Sequence, residues 1–165
     1  MALERIWAGW RATYVMGAIP GSDAGACVFC ALVATTDDVE AFVLERSDLT
    51  VTVMNLYPYG SGHLMIAPRR HEGELDALSD DEVVEMARAQ QRAVVAVRVA
   101  YQPDGVNLGA NLGRAAGAGI PGHVHLHVVP RWSGDTNFMT SVAGARVLPE
   151  TLREGYEKLR SAWPR

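Results

Sequence analysis

Little in this sequence could cross-link it, anchor it or draw it to a polyanion. Among 165 residues there are two cysteines, Cys27 and Cys30. They stand too close together to staple distant elements, so no disulfide framework is expected; in a reducing compartment such a pair reads as metal ligands, a redox motif or two packed thiols. Basic excess is missing too, with Lys and Arg numbering 15 against 19 Asp and Glu, a net charge of −4. Nucleic acid and anionic membrane both call for a basic patch of one sign, so neither is an expected partner. Sustained apolar runs are absent from the opening stretch, where Glu4, Arg5 and Arg11 interrupt Met1 to Tyr14. Neither a secretory signal nor a membrane span is read there, and a cytoplasmic location is the default expectation. There is no internal repeat, heptad run or low-complexity tract.

What remains has the balance of a globular domain, 48% hydrophobic and 21% charged, and is long enough to bury a core without a cofactor to hold it together. Residues 1–26 read as an N-terminal extension whose Trp7 and Trp10 are packing anchors, 27–131 as the core, and 132–165 as a C-terminal extension with a helix. Cys27 to Val33 predicts one or two helical turns. Val39 to Glu45 and Leu49 to Asn55 alternate apolar with polar residues across Ser47-Asp48, and His63 to Pro68 follows the turn cluster Tyr57-Pro58-Tyr59-Gly60-Ser61-Gly62; this predicts an antiparallel meander. The period then changes. Ser79 with Glu82 three residues on forms a capping-box signature, predicting a helix to about Ala100 with Val83, Ala87, Val94 and Val97 packed on the sheet. Val106 to Leu112 returns to strand, Gly113 to Gly122 is a glycine-rich loop, Asn137 to Arg146 is irregular, and a last helix starts at Pro149 with Leu152, Tyr156, Leu159 and Trp163 as its buried stripe. The expected fold is α+β: an antiparallel sheet of about five strands, one long helix packed on it and a C-terminal helix.

Three of the five histidines recur at alternate positions in Gly122-His123-Val124-His125-Leu126-His127-Val128-Val129. A period of two is that of a half-buried strand, so the three imidazoles are expected on one face, each step of two advancing roughly 6.6 Å. That spread is too wide for one small atom to meet all three, and the row is expected to hold more than one job. Cys27 and Cys30 supply two thiolates at zinc-site spacing, and His71 and His123 are the candidates to complete four ligands. His125, as a neutral imidazole, can attack phosphorus or carbonyl carbon if an acceptor orients its other nitrogen. The loop Asn111 to Ile120 is rich enough in glycine for backbone amides to approach an anion.

His123-Val-His125-Leu-His127-Val-Val resembles the signature of the histidine triad (HIT) nucleotide-binding and hydrolase family, as do Asn55 eight residues before His63 and the strand into Pro68 and His71. The opening Trp7-Ala-Gly-Trp10-Arg11, the long Asn111-to-Pro121 loop and Arg131-Trp132-Ser-Gly-Asp135 behind the triad resemble most the actinobacterial-type diadenosine tetraphosphate phosphorylases. The resemblance implies a HIT-like fold, with His125 the nucleophile of a nucleotidyl-histidine intermediate and His127 and His63 lining its pocket as the rest of the catalytic set with Asn111. It places Asn55 on the ribose hydroxyls, Asn111 near the scissile phosphate, and the backbone of Gly117, Gly119 and Ile120 at the α-phosphate. It implies one structural zinc per chain on Cys27, Cys30, His71 and His123, no organic cofactor, an adenine nucleotide or dinucleoside polyphosphate substrate, inorganic phosphate or water as acceptor, and a homodimer or dimer of dimers. Ile120-Pro121 departs from the commonest members, which carry a hydroxyl residue there. Two rival readings remain: a metallohydrolase with zinc on the histidine row, and a nucleotide-binding regulator without turnover.

Overall fold

The computed structural model describes residues 27–135 and 148–164. The tryptophan anchors of the N-terminal extension and the irregular stretch expected over 137–146 lie outside the described residues. Helix α1 spans Val28–Ala34; strands β1 (Val43–Arg46), β2 (Thr50–Met54) and β3 (Leu64–Pro68) follow, then helix α2 (Asp80–Tyr101), strands β4 (Gly105–Ala110) and β5 (Leu126–Arg131), and helix α3 (Leu152–Ala162). The sheet order is β1-β2-β3-β5-β4, with every neighbouring pair antiparallel. The three-strand meander is present, although β1 is shorter than expected because residues 38–42 are spent in turns. After β3 the chain crosses on α2 to the far edge, and β5 returns through the middle; that central place puts the histidine stretch between the two halves of the sheet.

The sheet has two differently used faces. One face, with Met54, Leu64, Ile66 and Val128, packs under α2 and under Tyr156 and Leu159 of α3. The other, with Val43, Val51, Val53, Met65 and Ala67, is covered by Phe29 of α1, with Ile120 against it. His127 lies opposite Met65 in register while Leu126 and Val128 oppose Ile66 and Leu64. Period two has therefore separated the imidazole from the aliphatics, His127 on the α1 side and Leu126 and Val128 on the helix side.

Three expectations shift. The helical stripe of α2 that meets the sheet is Met86, Ala89, Ala93, Ala96 and Val97, with Glu82 at its head, whereas Val83 and Ala87 face solvent. Small alanines let the helix lie close to the sheet. The capping box forms as expected: Ser79 Oγ accepts from the Glu82 amide, and the Glu82 carboxylate accepts from the Ser79 amide. Helix α3 starts at Leu152 rather than at Pro149, because Thr151 and Glu154 form a second capping box that outcompetes the proline signal. Strand β5 starts at Leu126, and His123 and His125 precede the ladder. Pro68, which ends β3, has no amide to donate across; its carbonyl accepts from the His123 ring at 2.8 Å, while the Val124 amide donates to Glu72 O at 2.6 Å. The chain peels off the sheet there.

Candidate active and metal site

The structure brings Cys27, Cys30, His71 and His123 together, their donor atoms all within 4.8 Å of one another. Cys27 caps the start of α1 and Cys30 lies one turn on; His71 comes from the loop after β3 and His123 from the approach to β5. Cys27 Sγ is 3.2 Å from His123 Nδ1, Cys30 Sγ is 3.2 Å from His71 Nδ1 and 3.8 Å from His123 Nδ1. A tetrahedral zinc with bonds of 2.0–2.3 Å sets its ligand atoms about 3.6 Å apart, so the quartet has the spread and the donor chemistry of such a site. The His123 tautomer agrees. Its Nε2–H donates to Pro68 O, which leaves the Nδ1 lone pair facing the sulfurs. Burial, with Cys27 alongside, pushes the Cys30 thiol upward in the absence of a cation, the electrostatic condition that a bound divalent metal relieves.

His125 is a different centre. It is 5% exposed, and its Nδ1–H donates to the His123 carbonyl at 2.8 Å, so the lone pair lies on Nε2. Burial lowers its pKa from the ordinary histidine value, against the opposing pull of that hydrogen bond. The ring is therefore neutral and oriented, the state a nucleophile needs. Beside it, His127 Nδ1 lies 2.9 Å from Nε2 of the fully buried His63, and the His125 and His127 rings sit edge-on with centroids 5.0 Å apart. His123 and His125 thus turn to different partners, as the spacing of the row requires.

The other expected residues are placed less uniformly. Asn55 is buried beside His63; its Oδ1 accepts from the Tyr57 amide and its Nδ2 is 3.4 Å from His63 Nδ1. Asn111 is half-buried at the exit of β4. In the glycine loop, Gly117 is left-handed at φ 92° and its amide closes a 3-10 turn on Arg114 O, so it shapes the loop with its backbone while its N–H is already engaged. Gly119 is half-buried in the same loop, and the Ile120 side chain packs against the Phe29 cluster.

Two contributors escape motif reading. Phe29, inside the Cys-x-x-Cys motif, is fully buried with its ring 5.1 Å from His123 and 4.8 Å from His125, wedged against both centres. Tyr59 packs on His63 and His127 at 4.6 and 5.7 Å, and its amide donates to His63 Nδ1 at 3.0 Å. Its place in a Pro/Gly turn reads only as loop.

An α+β sheet with this alternating histidine stretch at its centre defines the histidine triad class. The HIT domain family pattern matches residues 36–134, and the chain belongs to that family. It is 38% identical to AP-4-A phosphorylase of Mycobacterium tuberculosis over 99% of this chain and 86% of that protein. Its fold is similar to a zinc-bound histidine triad family protein from Mycobacterium smegmatis, at 32% identity and a TM-score of 0.67, covering 83% of this chain and 92% of the other. A histidine triad nucleotide-binding protein from Sulfolobus tokodaii matches with a TM-score of 0.64 at 26% identity, over 82% and 88% of the two chains.

Proposed function

We propose that this protein cleaves diadenosine tetraphosphate or a related nucleoside oligophosphate by transferring a nucleotidyl group through His125. The observation that carries the reading is the neutral, buried His125, whose Nδ1–H is held by the His123 carbonyl and whose Nε2 lone pair is thereby aimed. Nε2 attacks the α-phosphorus in line, a P–N bond forms, and the P–O bond to the remaining oligophosphate breaks. Phosphate then displaces the histidine to give ADP, or water does so to give AMP. The phosphorylase among its relatives favours phosphate as acceptor. Asn55 is assigned to the ribose, Asn111 and the backbone of the 117–120 loop to the phosphates, and His63 with His127 to the proton inventory beside the nucleophile.

Cys27, Cys30, His71 and His123 are assigned to one structural zinc, which supplies a cross-link between three chain segments; the donor geometry and the zinc-bound relative support it. No carboxylate joins the quartet, and His125 and His127 are turned toward their own partners, which disfavours a catalytic zinc on the histidine row. A homodimer is proposed on two apolar surfaces: the outer edge of β4, where Leu108 is 51% exposed, and the outer face of α2, where Val99 is 62% exposed. A second copy would cover them.

The test is chemical. Incubation with α-labelled diadenosine tetraphosphate and an acid-free quench should trap label on the wild-type chain and none on His125→Ala. Added phosphate should release it as ADP. Label that never appears, with substrate intact after long incubation at stoichiometric protein, would return the protein to a binding role.

A further inference from the structure

We propose that Tyr59 is a positioning residue that sets the tautomers of His63 and His127, so that His127 presents an N–H beside the nucleophile. The purpose of this arrangement rests on the nucleotidyl-transfer reading; the tautomers rest on geometry alone. A backbone amide can only donate. The Tyr59 N–H points at His63 Nδ1 at 3.0 Å, with the Asn55 Nδ2 group at 3.4 Å on the same nitrogen, so Nδ1 carries the lone pair. The proton of neutral His63 is therefore on Nε2, which donates to His127 Nδ1 at 2.9 Å. That nitrogen accepts, and the proton of neutral His127 is on its own Nε2.

His125 is in the opposite state, with Nδ1–H on the His123 carbonyl and the lone pair on Nε2. Two imidazoles 5.0 Å apart thus offer complementary groups, one an attacking lone pair and the other an acidic N–H. The Tyr59 ring keeps them so. It lies 4.6 Å from His63 and, nearly parallel at 26°, 5.7 Å from His127, packing against both rings. In the first half-reaction the P–N bond forms at His125 as the P–O bond breaks, and the electron pair left on the departing oxygen takes the His127 Nε2 proton. In the second, the O–H of phosphate or water returns a proton to His127 as its oxygen displaces His125 from phosphorus. No other reactant is needed.

The experiment has two arms. Long-range proton–nitrogen spectra of the 15N-labelled wild-type protein without substrate should show His63 and His127 protonated at Nε2 and His125 at Nδ1; a proton on His63 Nδ1 overturns the proposal. Kinetics form the second arm. Tyr59→Pro removes only the amide donor together with the ring, Tyr59→Leu removes the ring alone, and Tyr59→Phe removes the hydroxyl, which the argument does not use. A general acid is worth about 100-fold or more. Tyr59→Pro should therefore lower kcat on diadenosine tetraphosphate about 100-fold with little change in KM, yet leave transfer from a nucleotide p-nitrophenyl ester, whose leaving group needs no proton, within about three-fold of wild type. Tyr59→Leu should keep the tautomers and lose less than about 10-fold, and Tyr59→Phe should match wild type. Equal losses on both substrates, or none in Tyr59→Pro, would reject the role. Should Tyr59→Pro fail to fold, the wild-type spectrum and Tyr59→Leu still decide. Failure of all label trapping with the tautomers as assigned would strike the proposed function and leave the tautomer assignment standing.

Discussion

His123 makes three commitments from three different atoms. Its Nδ1 faces two sulfurs, its Nε2–H binds Pro68 O, and its carbonyl holds His125 Nδ1–H. A residue tied so many ways transmits disturbance in the thiol cluster to the nucleophile. Phe29 packs against both rings, and its replacement tests that transmission with little loss of volume. Phe29→Leu should cost about 1 kcal/mol in denaturant unfolding while lowering kcat several-fold, because the His125 ring loses the wall that holds it. A stability loss with unchanged kcat would show that the hydrogen bond alone suffices. The histidine alternation was readable at this scale because side-chain direction in extended chain follows covalent geometry. Phe29 and Tyr59 were not, since ring contacts join residues far apart in sequence.

At the scale of elements, α2 is fastened at both ends by local chemistry. At its start the Glu82 carboxylate accepts from the Ser79 amide and pairs with Arg70, which also reaches Glu72 and Ala77 O. The Arg70 guanidinium above all, then the Ser79 amide, pulls the Glu82 pKa down from 4.5 to about 2. A carboxylate with a depressed folded pKa stabilises the fold above its unfolded value, and that contribution fades as pH falls from about 4.5 toward 2. The difference in thermal midpoint between wild type and Glu82→Gln should therefore be largest at neutral pH and shrink through that window; because Arg70 is half exposed, it should also shrink with salt. At its end, Gln102 is left-handed at φ 47°. A side chain there costs about 1–2 kcal/mol, and glycine returns about 0.4–1 kcal/mol of that through the freer unfolded chain. Gln102→Gly should thus gain roughly 0.5 kcal/mol in chemical denaturation, and a loss would mean that the Gln side chain makes a contact of its own. Both caps were legible because capping is local. The buried stripe was not: valine and alanine rows both recur at helical spacing, and only the distance to the sheet selects the small side chains.

For the whole molecule, the thiol–imidazole quartet joins α1, the loop after β3 and the entry to β5, segments that are otherwise remote. Elemental analysis should find about one zinc per chain. Metal binding of this kind is folding free energy, so chelation, or Cys30→Ser, should lower the thermal midpoint by roughly 10 °C. Activity should fall too, because the His123 carbonyl moves with its ring; full activity in a metal-free, stably folded chain would separate the two centres. The C-terminal helix bears on the site by a longer route. Its Tyr156 and Leu159 complete the core under α2, and Tyr101 at the end of α2 donates to Glu150 while its ring fills the space where Gly62, just before His63, lacks a side chain.

By itself the sequence determined what depends on short range: the capping of α2, the meander, the sorting of His127 from Leu126 and Val128, and the chemistry available from Cys27, Cys30, His71, His123 and His125. The tertiary structure alone decided where the histidine stretch leaves the sheet, which row of α2 is buried, where α3 begins, and which nitrogen of each imidazole carries the proton. The reason is physical. A tautomer or a ladder end is set by the donor or acceptor that stands opposite, and Pro68 O, Glu72 O and the Tyr59 amide reach their partners only once the chain has folded.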